Sequence, residues 1–340
     1  MSSRSRKLIN HPHNIVREML EGYVAANSDI LALTKDHLVV RRVPKAPGKV
    51  GLVIGNGSGH EPAMIGFVGA GLFDVNVPGP IFAAPPPARL LQGILAAERG
   101  AGVLLCVSHH AGDLMAAETA LAQAATMGLH NVEMVVLYDD VASAPRGQEA
   151  ERRGTAGLFF TWKMLGAFAE TGASLAECKA LAEKVRNCTR TLSMALTSCC
   201  HPVTGELMFE LSADEMEIGM GVHGEAGVGR TSIRSADETI DLMLPRILED
   251  LPFVAGDEVC VLLNNAGSMT LMELSILYRR VQQSLKERGM RVHRAWLGSY
   301  ATTQDMAGFG LSLCRVDAQM KELYDAPANG VAYKSLGAEG

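Results

Sequence analysis

Long apolar runs, paired cysteines and a concentrated basic face are all missing from this 340-residue chain. No stretch approaches the roughly 18 apolar residues of a membrane span, so the chain is expected to stay out of the bilayer. The seven cysteines, at 106, 178, 188, 199, 200, 260 and 314, are odd in number and include no C-x-x-C pair. A chain this large has no need of disulfide staples, and the pattern predicts a reducing, cytoplasmic setting. The adjacent Cys199, Cys200 and His201 are not read as a metal site, because neighbouring side chains rarely converge on one ion and no second ligand pair is spaced for it. Thirty-one Lys and Arg stand against 37 Asp and Glu, a net charge of −6, and they are scattered rather than striped. That excludes an electrostatic footprint for nucleic acid. The basic start, Met1 to Lys7, runs into Asn10-His11-Pro12-His13 instead of an apolar core, so no export signal is expected. No internal repeat or low-complexity tract is found.

What is present is the balance of a folded enzyme: 48% apolar residues, 20% charged, and 35 glycines. The length exceeds one ordinary hydrophobic core. Apolar residues at helical spacing predict a helix over 16–26 behind Asn14. Residues 49–54 read as a buried strand entering the loop 55–59, with a helix starting at Glu61-Pro62-Ala63-Met64. A second strand at 102–107 enters Ser108-His109-His110-Ala111-Gly112-Asp113, followed by a helix over 114–127. A third strand covers 132–137, and one or two helices lie within 161–181. Pro85-Pro86-Pro87 reads as a stiff extension. Further on come a strand over 192–197, a turn at 201–205, a candidate strand at 206–210, a strand at 258–263, a helix over 269–288 and a strand at 291–297. The pattern predicts two α/β domains, the first a doubly wound, mostly parallel sheet and the second a smaller mixed α/β layer domain. The first is expected over 1–190, with the tail 320–340 returning to it, and the second over 191–320.

Two stretches place a histidine in a glycine frame: Gly55-Asn56-Gly57-Ser58-Gly59-His60-Glu61-Pro62 and Met220-Gly221-Val222-His223-Gly224-Glu225-Ala226-Gly227. Glycine has no Cβ to keep the backbone away from whatever the imidazole touches. Ligands of doubly wound sheets bind in the loops beyond the strands' carboxyl ends, where His60 and Asp113 are expected. The first frame is not a P-loop, since no Gly-Lys-Ser/Thr follows, and His60 replaces the last glycine of a dinucleotide fingerprint. A dehydrogenase reading would rest on this loop alone and lacks an acidic residue placed for a ribose. Gly57, Ser58 and Gly59 are better suited to holding oxygens of a compact polar substrate. Asp113 can accept a proton from a substrate hydroxyl, or cap a helix. His223 can add through a neutral ring nitrogen to a carbonyl carbon, or be satisfied within a tight turn. Glu225 can orient His223 or face solvent.

These frames, with Gly66-Phe67-Val68-Gly69, Phe82-Ala83-Ala84-Pro85, Ala111-Gly112-Asp113, Asp214 to Gly219 and Asp305 to Phe309, carry a resemblance to the dihydroxyacetone kinase K-subunit (DhaK) family along nearly the whole chain. The resemblance implies a ketose-binding kinase subunit, likewise a homodimer, in which His223 forms a hemiaminal with the substrate ketone while His60 and Asp113 act on the hydroxyl that receives phosphate. It implies no cofactor or metal on this chain, with ATP or ADP and Mg2+ carried by a separate L subunit, because the chain stops at Gly340 before any nucleotide module. Ketose-sensing co-activators, paralogues of the K subunit, form the alternative. The chain departs from the family's pattern at Ser108-His109-His110, where an Asn-Tyr pair is usual, at Pro78-Gly79-Pro80-Ile81, and at Ala226, where proline is common. With Gly112, His109 and His110 are therefore carried as substrate contacts for an altered ketose such as erythrulose, against the reading that these loop histidines merely face solvent.

Overall fold

The structure is a computed structural model that describes residues 7–225 and 227–337. The basic start up to Arg6, Ala226 and the last three residues of the 320–340 tail lie outside the described residues. The chain divides into two compact units: a first of residues 7–137, 160–185 and 322–337, and a second of 138–159 and 186–321.

The first unit contains α1 (Ile15–Ala26), β1 (Leu31–Leu33), β2 (Val39–Arg41), β3 (Gly51–Ser58), β4 (Val75–Ile81), α2 (Pro87–Ala97), β5 (Val103–Ser108), α3 (Ala111–Thr126), β6 (Val132–Leu137) and most of α4 (Leu158–Glu170) and α5 (Leu175–Asn187). Its sheet runs β1-β2-β4-β3-β5-β6. The pairs among β4, β3, β5 and β6 are parallel, and β1 and β2 add an antiparallel edge. Leu52, Val53, Ile54 and Val103 to Val107 are all buried, as strands covered on both faces require. Gly51 lies so close to α2 that a Cβ there would stand 2.1 Å from the Ala97 carbonyl oxygen. Pro87 opens α2 at its first turn, where a missing N–H costs nothing, so the triple proline starts a helix instead of only extending the chain.

Two local expectations change here. Gly55 to Ser58 belongs to β3 and not to a loop, and the β3–β4 register shifts between Asn56 and Ser58. Pro78 and Pro80 on β4 have no N–H for the ladder, which accounts for an irregularity at that level. No helix begins at Glu61; turns lead into one 3-10 turn, Ile65–Phe67. Pro62 and Gly66, with Gly69 just beyond, disfavour a longer helix.

The second unit holds β7 (Thr189–Ala195), β8 (Glu215–Ile218), β9 (Gly229–Ser232), α6 (Ala236–Asp250), β10 (Glu258–Asn265), α7 (Leu271–Glu287), β11 (Arg291–Gly298) and β12 (Gly308–Arg315), in sheet order β11-β10-β12-β7-β8-β9. Among these strands β10 and β11 pair in parallel and the other neighbours antiparallel. Ile240, Met243, Leu244, Leu274, Leu277 and Val281 from α6 and α7 pack with the sheet's Leu192, Val261 and Leu311. Residues 206–210 form no strand; Leu207 makes one isolated antiparallel bridge to Cys200, flanked by the His201 N–H to the Glu206 carbonyl and the Met208 N–H to the Cys199 carbonyl. α8 (Ala318–Asp325) leads to β13 (Ala328–Asn329) and β14 (Lys334–Ser335), and Asn329 and Ala332 donate to the Ala70 and Gly66 carbonyls of the first unit's own loop. Among the described residues no helix is long and apolar enough to cross a membrane, and all seven cysteines are thiols.

Candidate functional site

In the first unit, the glycine frame is shaped by close approach. A Cβ on Gly57 would sit 2.7 Å from the Ala83 nitrogen, and one on Gly59, at φ +108°, 2.6 Å from the Phe82 ring. His60, 6% exposed, lies with its ring centroid 5.0 Å from that of Phe82. Ser58 Oγ donates to the Gly79 carbonyl at 2.8 Å, so its hydroxyl is engaged in tying β3 to β4. The Gly59 N–H donates to Glu61 Oε1 at 2.9 Å; burial pushes the Glu61 carboxyl up, against that hydrogen bond. Asn56, Gly57, Ser58, Glu61, Met64 and Asn76 are among the residues around a small concavity.

Asp113 does not cap α3. His110 occupies the cap position without a side-chain cap bond, and Asp113 stands in the first helical turn. A carboxylate there faces the positive end of the helix dipole. Asp113 is 7% exposed, and its Oδ2 accepts from Asn56 Nδ2 at 3.2 Å. His110 Nδ1 lies 3.2 Å from Ser108 Oγ and 3.9 Å from Asp113 Oδ2. His110 thus turns toward the aspartate and away from open solvent. The His109 N–H donates to the Leu137 carbonyl at 2.9 Å. Gly112 would accept a Cβ, which would meet the Ala84 Cβ at an ordinary 3.6 Å.

In the second unit, His223 is set by a two-point contact with Glu225. Glu225 Oε2 accepts the His223 backbone N–H at 2.8 Å, and Oε1 lies 3.3 Å from ring Nδ1. Burial works to raise the Glu225 carboxyl, but the hydrogen bonds and charge of His223 outweigh it and bring it down to about 2. A carboxylate accepts only, so Nδ1 carries the proton and Nε2 the lone pair. Gly221 makes this possible, since a Cβ there would stand 2.2 Å from Glu225 Oε2. Gly224, at φ +78°, turns the chain between the two partners. The loop is fixed from behind: Thr303 Oγ1 donates to the Val222 carbonyl at 3.0 Å, and Arg153 bridges Asp140 and the Gly219 carbonyl. Burial pushes the Asp140 carboxyl up to about 6 even against the pull of Arg153.

Asp113, His110 and Asn56 therefore come together at one end of the first sheet, next in sequence to the frame bearing Gly57, Ser58, Gly59 and His60, whereas His223 belongs to the second unit with Glu225 as its partner. Sequence reasoning passed over Asn56, Phe82, Arg153 and Thr303. Asn56 carried a signal, as a polar side chain set between Gly55 and Gly57, and Phe82 lay in a stretch that carried the resemblance; Arg153 and Thr303 act from distant stretches and had none.

A model of the Dak1 domain matches residues 21–332. The chain is 39% identical over 329 residues to the dihydroxyacetone-binding subunit DhaK of a PTS-dependent dihydroxyacetone kinase of Listeria innocua, which covers 96% of this chain and 100% of that one. It is 35% identical over 331 residues to the L-erythrulose kinase of Pectobacterium atrosepticum, covering 96% of this chain and 56% of the relative. Among solved structures, the dihydroxyacetone kinase operon co-activator Dha-DhaQ superposes with a TM-score of 0.87 at 29% identity, covering 94% of this chain and 98% of the other.

Proposed function

This chain belongs to the dihydroxyacetone kinase K-subunit family, and from that premise we propose that it is the ketose-binding subunit of a cytoplasmic kinase acting on dihydroxyacetone or a related short ketose such as erythrulose. The observation that carries the reading is the Glu225 carboxylate seated on Nδ1 of His223. With that proton fixed on Nδ1, the Nε2 lone pair forms the bond to the ketone carbon while the carbonyl π pair moves onto oxygen. The oxygen takes a proton, and Nδ1 gives its own up through Glu225 to solvent, so the ring ends neutral in the hemiaminal. Such a bond suits the substrate, because three or four carbons offer too few atoms for tight non-covalent binding.

Asp113, with His60 as hydrogen-bond partner, takes the proton of the hydroxyl that attacks phosphorus; the group's task in phosphoryl transfer is positioning and charge stabilisation. Phosphate comes from a separate L subunit carrying ATP or ADP with Mg2+, and the chain works as a homodimer. In a mixture with a cognate L subunit, ATP and Mg2+, the chain is expected to phosphorylate a short ketose. Asp113→Asn lowers kcat by ~10²–10⁴-fold, and His223→Ala raises KM. Full activity of Asp113→Asn removes the assigned base. The likeness to Dha-DhaQ supports a second reading, a ketose-sensing co-activator. A pull-down that recovers a transcription factor and no L subunit selects it.

A further inference from the structure

The Asn56 carboxamide is buried at 6% exposure, and its two ends are in different situations. Nδ2 donates to Asp113 Oδ2 at 3.2 Å. Oδ1 is shielded from solvent and has no hydrogen-bond partner among the described residues. The amide cannot relieve this by flipping, because a carboxylate only accepts and would then face an oxygen. The aspartate therefore fixes which end of Asn56 remains as an acceptor. A buried acceptor without a donor is rare in folded proteins and calls for a ligand or water to complete it. Asn56 also lines a small concavity together with Gly57, Ser58, Glu61 and Asn76.

Resting on the kinase reading above, we propose that Asn56 is the specificity-determining residue: it holds Asp113 through Nδ2 and accepts a substrate hydroxyl at Oδ1, so that the pair receives a vicinal diol. Two neighbouring acceptors, one on the amide and one on the carboxylate, match two hydroxyls on adjacent carbons. A four-carbon ketose has that diol on the far side of its carbonyl. Dihydroxyacetone does not, since its two hydroxyls flank the ketone. The chain is thereby assigned to ketoses of four or more carbons bearing a terminal vicinal diol, with Asp113 taking the proton of one hydroxyl and Asn56 reading the other.

The test uses the whole chain in calorimetric titrations with L-erythrulose, dihydroxyacetone and 1,3-dihydroxybutan-2-one, which lacks the fourth-carbon hydroxyl. Wild type is expected to bind erythrulose at least tenfold more tightly than the deoxy analogue. Asn56→Ala, which adds no bulk, is expected to remove that preference by bringing erythrulose affinity down to that of the analogue; with the L subunit present, KM for erythrulose rises, and kcat falls for erythrulose and dihydroxyacetone alike because Asp113 loses its Nδ2 partner. A wild-type chain that binds erythrulose and the analogue equally overturns the proposal, and needs no variant to do so. A variant that loses affinity for all three ketoses alike reduces Asn56 to a structural role. If wild type neither binds nor phosphorylates any ketose, the kinase reading itself fails, which is a distinct result.

Discussion

At the scale of single residues, Glu225 governs what the His223 ring can do. A carboxylate lowered from its ordinary 4.5 to about 2 adds stability that is whole above the ordinary value and drains away as pH falls toward 2. Glu225→Gln should therefore lower the melting temperature at pH 7, and the gap to wild type should close as thermal scans are taken down toward pH 2. The same substitution leaves one neutral amide oxygen where the carboxylate offered two charged acceptors to the His223 N–H and ring Nδ1, so the hold on the Nδ1 proton weakens. Loss of a charge-assisted hydrogen bond of about 1.5 kcal/mol predicts roughly tenfold weaker ketose binding by calorimetry. Unchanged affinity would mean that Glu225 shapes the loop without tuning the ring.

At the scale of elements, α6 and α7 of the second unit start on reciprocal caps. Thr270 Oγ1 accepts from the Glu273 N–H while the Glu273 carboxylate accepts from the Thr270 N–H and hydroxyl, and Ser235 and Glu238 repeat the arrangement at α6. Thr270→Ala is expected to lower unfolding free energy by about 1 kcal/mol in a urea titration and to leave ketose KM unchanged. A change in KM would show that the start of α7 reaches the chemistry. α3 begins differently, with His110 at its cap position making no side-chain cap bond and Asp113 in its first turn. The end that carries the proposed base is thus not tuned as a helix cap. The Asn56 contact fixes it instead.

At the scale of the whole molecule, the last turns complete the first unit. Leu323, Tyr324, Ala328 and Tyr333 are buried, and fully buried Lys163 donates to the Leu323 carbonyl at 2.8 Å. Burial lowers the Lys163 ammonium from 10.5 to about 8, against the pull of Asp325. The folded state then sheds its proton first, so the stability of wild type relative to Lys163→Met should rise as pH climbs from 8 to 10.5. Chemical denaturation at those two pH values measures it, and a flat difference would show that the ammonium loses no more solvation on folding than the tail's carbonyl returns.

Much of this organisation could be read from the chain alone. Apolar runs at 51–54, 103–107, 132–137 and 258–263 are short, β-rich and followed by glycine or polar loops, so local propensity placed those strands, and amphipathic spacing placed α1 and α7. The two glycine-framed histidines stand out in the sequence for a related reason: close backbone approach, as at Gly57, Gly59 and Gly221, leaves glycine behind. What the chain could not show depends on partners far away in sequence. β12 reads as ordinary apolar sequence and becomes central only because β10 and β7 pair on either side of it. Asn56 became a candidate for specificity only when β3 set it against Asp113, 57 positions on, and left its other end without a donor. Sequence fixes which chemistry is carried, because residue types and local geometry are intrinsic; tertiary structure decides which groups are oriented, because hydrogen bonding and burial are properties of pairs that only folding brings together.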